Sequence, residues 1–261
     1  ISDLNRLKKL GLVGNVTLFP HGVLDKDLLS LSKIPSSSLE AVFDKHSLAP
    51  HLNPLQQEIK HNQFVIASYG FFLPNKGLLE LIDAISILNA RGMNVKLMMI
   101  NAEYPIQEST SLINQANLKI SKLNLQHIVT LCTDYLTDLE CIERLAQADL
   151  VVYPYQQTLE SASGAVRYGM ASGIPVAVTP LSIFDDVVKA TYMLPGFAPE
   201  DLAKGCLDIE KSIRVKDNVS KTIQTAATAW RQQHRYSRVG NQLNGLLQAI
   251  TQESCNSSSI G

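Results

Sequence analysis

The stretch ESASGAVRYGMASGIPVAVT, Glu160 to Thr179, decides how this chain is read. An acidic residue, a Ser/Gly-rich turn, a run of small residues and a β-branched run follow one another without a break. If a helix starts near Ser163, the N–H groups of Ser163, Gly164 and Ala165 have no carbonyl partners and stand at the positive end of the helix dipole. Phosphate groups bind in that position. Ser161 belongs to the same turn, and Gly164 lets a ligand approach the backbone closely. Glu160, just ahead of those amides, would repel a bare phosphate, so it reads as an acceptor for hydroxyl groups attached to one. A sugar diphosphate has that layout. The same residues also fit a plain strand–helix–strand crossover in which Ala, Gly and Ser only permit close packing, and the stretch alone leaves both readings open.

Working outward, short apolar runs alternate with amphipathic segments from residue 64 onward, the pattern of parallel strands joined by helical crossovers. Strands are expected at FVIAS (64–68), VKLMMI (95–100), HIVTL (127–131), DLVVYP (149–154) and PVAVT (175–179), with a weaker one at TYMLP (191–195). Most are apolar throughout, as doubly covered parallel strands are. Leu78, Leu81, Ile82, Ile85 and Leu88 recur at helical spacing. Asp138 is expected to cap a helix running through Ala148, and Ser182 a short helix carrying Phe184, Val187 and Val188. Further helices are expected at about 199–211, 217–235 and 238–250. The fold class is therefore α/β, a Rossmann-like parallel sheet with helices on both faces.

The first 60 residues differ. NRLKKL looks helical, NVTLFP looks like a strand, and a Ser- and Pro-rich stretch follows. With no complete crossover unit around NVTLFP, residues 1–20 read as the tail end of a preceding domain and 21–63 as a linker. Residues 64–250 form the main domain and 251–261 a frayed tail.

With 23 basic against 24 acidic residues, the chain has no general attraction to nucleic acid. Cys132, Cys141, Cys206 and Cys255 show neither CxxC pairing nor disulfide-scaffold density, so reduced thiols and a cytoplasmic location are expected. No run of about 20 apolar residues offers a transmembrane segment. His21, His46, His51, His61, His127 and His234 form no metal-ligand spacing, and no metal site is expected. Asp25-Lys26-Asp27 spells DxD but follows a linker, so a solvated loop is the simpler reading. Neither GxGxxG nor GxxxxGK[ST] occurs, and Ser163 lies in no GxSxG elbow.

A second candidate site is YGFFLPNKGLLELIDA, residues 69–84, after the first strong strand. Gly70, Pro74, Asn75 and Gly77 form a turn that places Lys76 at a helix start, where an ammonium group would meet phosphate. The alternative is a solvated lysine. Lys76 would share with Glu160 the carboxyl edge of the sheet, where ligands of open α/β sheets collect.

Taken together, residues 16–250 resemble the C-terminal, donor-binding half of a GT-B glycosyltransferase of the retaining family four, or group 1, type. The resemblance rests on Pro20-His21-Gly22-Val23, on Gly70, Pro74, Lys76 and Gly77, on ADLVVYP at 148–154, on Glu160 with its Gly164 turn, on MASGIPVAVT at 170–179, and on the closing AWRQQHRYSRVGNQL. It implies transfer of a hexose from a UDP- or GDP-sugar to a carbohydrate-like acceptor, with retention and without a metal or permanently bound cofactor. Lys76 would neutralise the donor diphosphate, the amides near Gly164 would hold the distal phosphate, and Glu160 would accept the sugar hydroxyls. Two positions depart from the family pattern. Tyr168 stands where a second Glu would grip the ribose, and Phe71 where an arginine usually follows the turn glycine. Tyr168 could still bond to the ribose, with Arg167 beside it supplying charge.

An N-terminal acceptor domain of the same enzyme is implied as a partner, so the chain alone is expected to bind donor weakly and transfer nothing. An apolar docking face near Trp230 is expected to be exposed or covered by self-association. The alternatives are a catalytically silent sugar-nucleotide-binding module and an unrelated flavodoxin-like binding domain.

Overall fold

A computed structural model describes residues 7–11, 19–25, 63–158 and 160–257. The expected strand at NVTLFP lies largely outside the described residues, as do Lys26, Asp27, most of the linker, and His46, His51 and His61.

Six parallel strands form one sheet in the order β3-β2-β1-β4-β5-β6. They are β1 (Phe64–Phe71), β2 (Val95–Ala102), β3 (Val129–Cys132), β4 (Leu150–Tyr153), β5 (Val176–Val178) and β6 (Tyr192–Met193). The order reverses beside β1, which pairs with β2 in the register Phe64 to Val95 and with β4 in the register Ile66 to Leu150. Successive residues of β1 face opposite cores, as strand geometry requires. Phe64 and Ile66 join one core, while Val65 and Ala67 join the other.

Helices α1 (Leu78–Ala90), α2 (Gln107–Lys122) and α5 (Pro199–Val215) supply the first core. The second takes residues from α3 (Asp138–Leu145), α4 (Gly164–Ser172) and α6 (Asn218–His234). The expected doubly covered parallel sheet is therefore present. The sheet is apolar in sequence because both of its faces are buried.

Several boundaries differ from the sequence reading. β1 continues past Ser68 to Phe71, so Gly70 is a strand residue, with φ 133°, rather than part of the turn. α3 is capped by Thr137, not Asp138: the Thr137 hydroxyl accepts from Glu140 N–H, and the Glu140 carboxylate accepts from Thr137 N–H. The Thr137 hydroxyl, which also donates to the Glu140 carboxylate at 2.7 Å, and the Thr137 N–H beside it hold that carboxyl below its ordinary pKa. Ser182 caps nothing. Two 3-10 turns, Ser182–Phe184 and Val188–Ala190, replace the expected short helix. The last helix, α7 (Tyr236–Ser257), extends beyond residue 250 into the segment expected to fray.

The described linker residues are annealed to the C-terminal helices. Val23 N–H donates to His234 O at 2.7 Å, and Tyr236 N–H donates to Val23 O at 3.1 Å. Asp25 is buried, accepts from the Ser237 hydroxyl at 2.8 Å and pairs with Arg235 at 3.3 Å, so it is no solvated loop residue. Trp230 is also a core residue. Its indole N–H donates to Asp186 O at 2.9 Å and its ring stacks on His234, so Trp230 itself is not part of an exposed face. Exposed apolar residues of the closing helices include Val219 and Tyr236, and Leu243, Leu247 and Ile250 on one side of α7.

Candidate functional site

A cleft of about 340 Å³ opens at the carboxyl edge of the sheet, between the ends of β1, β2 and β4 and the start of α4. This is where the strand order reverses and where open α/β sheets hold ligands.

One wall is the turn after β1. Asn75 and Gly77 both adopt left-handed backbone, with φ of 63° and 69°, and this hooks the chain into α1. A side chain at Gly77 would place Cβ only 1.8 Å from Pro154 O, so a glycine is required there by space as well as by φ. Gln156 N–H donates to Asn75 O at 2.8 Å, tying the turn to the segment after β4. The turn thereby aims Lys76 across the cleft. Its ammonium donates to Glu160 Oε2 at 3.3 Å and lies 4.1 Å from the centre of the Tyr155 ring. The Lys76 side chain is only 19% exposed, against 62% for Glu160, so the lysine is less solvated than its sequence suggests.

The second wall is the start of α4. Ser163 is its N-cap, with a hydroxyl that accepts from Val166 N–H at 3.3 Å and lies 3.4 Å from the Tyr155 hydroxyl. Because the cap uses Val166 N–H, the amides left facing the cleft are those of Gly164 and Ala165, and both residues line it. Below them, the Tyr153 hydroxyl donates to Ala165 O at 2.8 Å and accepts from Gly169 N–H at 3.1 Å. It thus bridges a carbonyl and an amide four residues apart on α4, and it fixes that helix against β4.

Gly70, Lys76, Glu160, Ser163, Gly164, Ala165 and Tyr168 all line the cleft. Two expected residues do not. Ser161 is exposed outside the cleft lining. Arg167 points to the opposite side of α4, where its buried guanidinium donates to Ser163 O at 3.0 Å, pairs with Asp186 and lies 5.8 Å from the Trp230 ring. The helical turn separates it from Tyr168 by about 100° (3.6 residues per turn), and its bonds to Ser163 O and Asp186 keep it out of the cleft lining.

Tyr168 stacks on Tyr69 at 4.6 Å, and its hydroxyl donates to Asp138 Oδ1 at 2.6 Å. Burial first, and the Asp138 carboxylate second, raise the Tyr168 phenol above its ordinary pKa, which keeps it a protonated donor. Asp138 lines the cleft, although the sequence alone gives it only a capping role. The spacing Thr137-x-x-Glu140 is a capping-box signature and leaves Asp138 free for another role. Phe71, at the position of the expected arginine, packs edge-on against Tyr104 at 5.0 Å and lies near-parallel to Tyr135 at 6.3 Å. Tyr135 is 82% exposed. The cleft thus has a charged end at Lys76 and Glu160 and an aromatic end at Phe71 and Tyr135. Among its described lining residues Lys76 is the one lysine or arginine, against Glu160, Asp134 and Asp138.

A family model described as Glycosyl transferases group 1 matches residues 53–225. No curated protein sequence matches the chain. Among solved structures, a glycosyltransferase from Rickettsia africae aligns with a TM-score of 0.65 at 16% identity, covering 95% of this chain and 62% of that one. Anabaena HepE in complex with UDP-glucose aligns at 0.59 and 19% identity, covering 72% of this chain and 49% of HepE. Sucrose-phosphate synthase from Thermosynechococcus elongatus aligns at 0.62 and 14% identity, covering 97% and 57% respectively. The chain spans between 49% and 62% of the length of these three, and at such identities the likeness is one of fold.

Proposed function

Because this chain belongs to the group 1 glycosyl transferases, we propose that its cleft binds the nucleoside diphosphate sugar from which a hexose is transferred to a glycan or similar acceptor. The observation that carries the reading is the convergence of Lys76, Glu160 and the free amides of Gly164 and Ala165 on one cleft from two distant parts of the sequence. The complexes of HepE with UDP and with UDP-glucose support a uridine donor over a guanosine one.

In this proposal Lys76 and the α4 amides take the charge that grows on the leaving diphosphate, and no bound metal is needed for that role. Preorganised donors of this kind lower a barrier by about 3–4 kcal/mol each when they face the developing charge. Glu160 holds the sugar hydroxyls. With the Lys76 ammonium already beside it, an arriving phosphate shares that cation rather than finding it free. Asp138 and Tyr168 together take the place of the absent second Glu, the carboxylate accepting from the ribose hydroxyls while the phenol holds the carboxylate in position. The aromatic end receives the planar base by stacking. Transfer with retention, and an acceptor bound on a further N-terminal domain of the same enzyme, complete the proposal.

Titrating the chain by calorimetry with UDP-, GDP- and ADP-sugars tests it. Saturable binding of one of them, with competition by the matching nucleoside diphosphate, is expected. If none binds, the donor-site reading fails. A second reading, a module that binds donor but does not catalyse, is favoured by Phe71 in place of an arginine. It predicts tight donor binding with no slow release of free sugar in water.

A further inference from the structure

A second cavity, of about 360 Å³, lies at the opposite edge of the sheet, beside the amino ends of β5 and β6. Its floor is apolar, formed by residues such as Ile174, Tyr192 and Ile223. Its rim is cationic. Lys216 stands in the connection between α5 and α6, held in left-handed backbone with φ 52°. Lys221, Gln224 and Arg231 recur at spacings of three and seven along α6, which puts them on one face of that helix.

No Asp or Glu belongs to the described lining. Asp217, at the edge, is the N-cap of α6, accepting from Ser220 N–H at 2.8 Å and from the Ser212 hydroxyl at 2.7 Å, and its carboxylate lies within electrostatic reach of Lys221. Arg231 is half-buried and donates to the Thr228 hydroxyl at 3.1 Å. Burial, and after it the nearby Arg235, lower its pKa from the ordinary value. A partly buried positive charge over an apolar floor is costly unless an anion accompanies it.

We propose that this groove binds a phosphate group carried on a short apolar skeleton, with Lys216, Lys221 and Arg231 on the phosphate and the apolar floor under the carbon chain. The carrier is either a soluble phosphate ester or the headgroup of an anionic lipid, since both present that chemistry. The site is separate from the donor cleft, being built on the other edge of the sheet.

The test uses the full chain with two probes. One is glycerol 3-phosphate, followed by calorimetry. The other is phosphatidylcholine vesicles with and without phosphatidylglycerol, followed by cosedimentation. Saturable binding to either is expected, weakened about tenfold when Lys216 and Lys221 are both changed to Gln, the loss expected for removing charge-assisted contacts. Arg231→Gln should act alike. Because Arg231 is half-buried, a lowered melting temperature in that variant would leave the exposed lysine pair as the deciding one. Lys76→Ala should leave this binding unchanged, whereas an equal loss there would show glycerol phosphate sitting in the donor cleft and overturn the proposal. Binding of the ester identifies a soluble ligand, and binding of the phosphatidylglycerol vesicles alone identifies a lipid headgroup. Binding of neither probe, or binding that the lysine pair does not affect, also overturns it.

Discussion

Lys76 illustrates how one residue's setting alters what a substitution should do. It is largely covered, lies over Tyr155 and is paired with Glu160, yet the partner carboxylate is well exposed. The pair itself contributes little because Glu160 is exposed, so Lys76→Ala is expected to lower the melting temperature only by the lost contact with Tyr155, a modest shift. Its effect should fall on ligand binding, with a nucleoside diphosphate losing about 1.5–3 kcal/mol, the range for a charge-assisted hydrogen bond. Equal calorimetric affinity for both proteins would remove Lys76 from the site. Glu160→Gln separates the two halves of a donor. Affinity for the free nucleoside diphosphate should hold or rise as Lys76 is released, while affinity for the intact sugar nucleotide falls, and a parallel loss for both ligands would make Glu160 a residue that only shapes the loop. The place of both residues at this edge could be read from the sequence because each follows a strand at its carboxyl end and precedes a glycine turn, Gly77 next to Lys76 and Gly164 four residues after Glu160. Arg167 was misread for a reason that linear sequence hides: adjacent helix residues point about 100° apart, and only the helix's docking decides which faces the cleft. Asp138 carries no sign of a cleft position in the sequence, where it reads as the helix cap that Thr137 in fact supplies.

At the scale of an element, the turn at residues 74–77 and the start of α4 are fixed by unlike means. The turn depends on backbone conformation. Gly77→Ala would impose a left-handed conformation on an L side chain and drive its Cβ into Pro154 O. A destabilisation of about 3 kcal/mol or more is expected, readable as a shifted denaturant midpoint at unchanged slope. A loss below about 0.5 kcal/mol would mean that the turn is not held as described. α4, by contrast, is fixed by side chains, with the Tyr153 hydroxyl bridging Ala165 and Gly169 and the Arg167 guanidinium holding Ser163 O. The strands and long helices were legible because apolar periodicity reports burial directly. The segment after Ser182 was not, since its apolar residues Ile183 and Phe184 reach the core from one 3-10 turn and Val187 from just before a second, a spacing that imitates a helix.

For the whole molecule, the arrangement of the sheet accounts for the placement of both cavities. A parallel sheet gathers the loops that follow its strands at one edge, and there residues separated by 84 positions, Lys76 and Glu160, come within 3.3 Å. The loops that precede the strands gather at the other edge, around the cationic groove. The 21–25 segment, bonded to the junction of α6 and α7, joins the linker to this body, an association that local sequence patterns carry no sign of because its partners lie more than 200 residues away. The central claim is that the carboxyl-edge cleft is the donor site. The most direct measurement is the amide NMR spectrum of the chain during titration with UDP-glucose. The account predicts that the Gly164, Ala165 and Lys76 amides shift together and saturate at one ligand concentration, while the Lys216 and Lys221 amides stay in place. Shifts confined to another surface, or a Gly164 amide indifferent to saturating ligand, would contradict it.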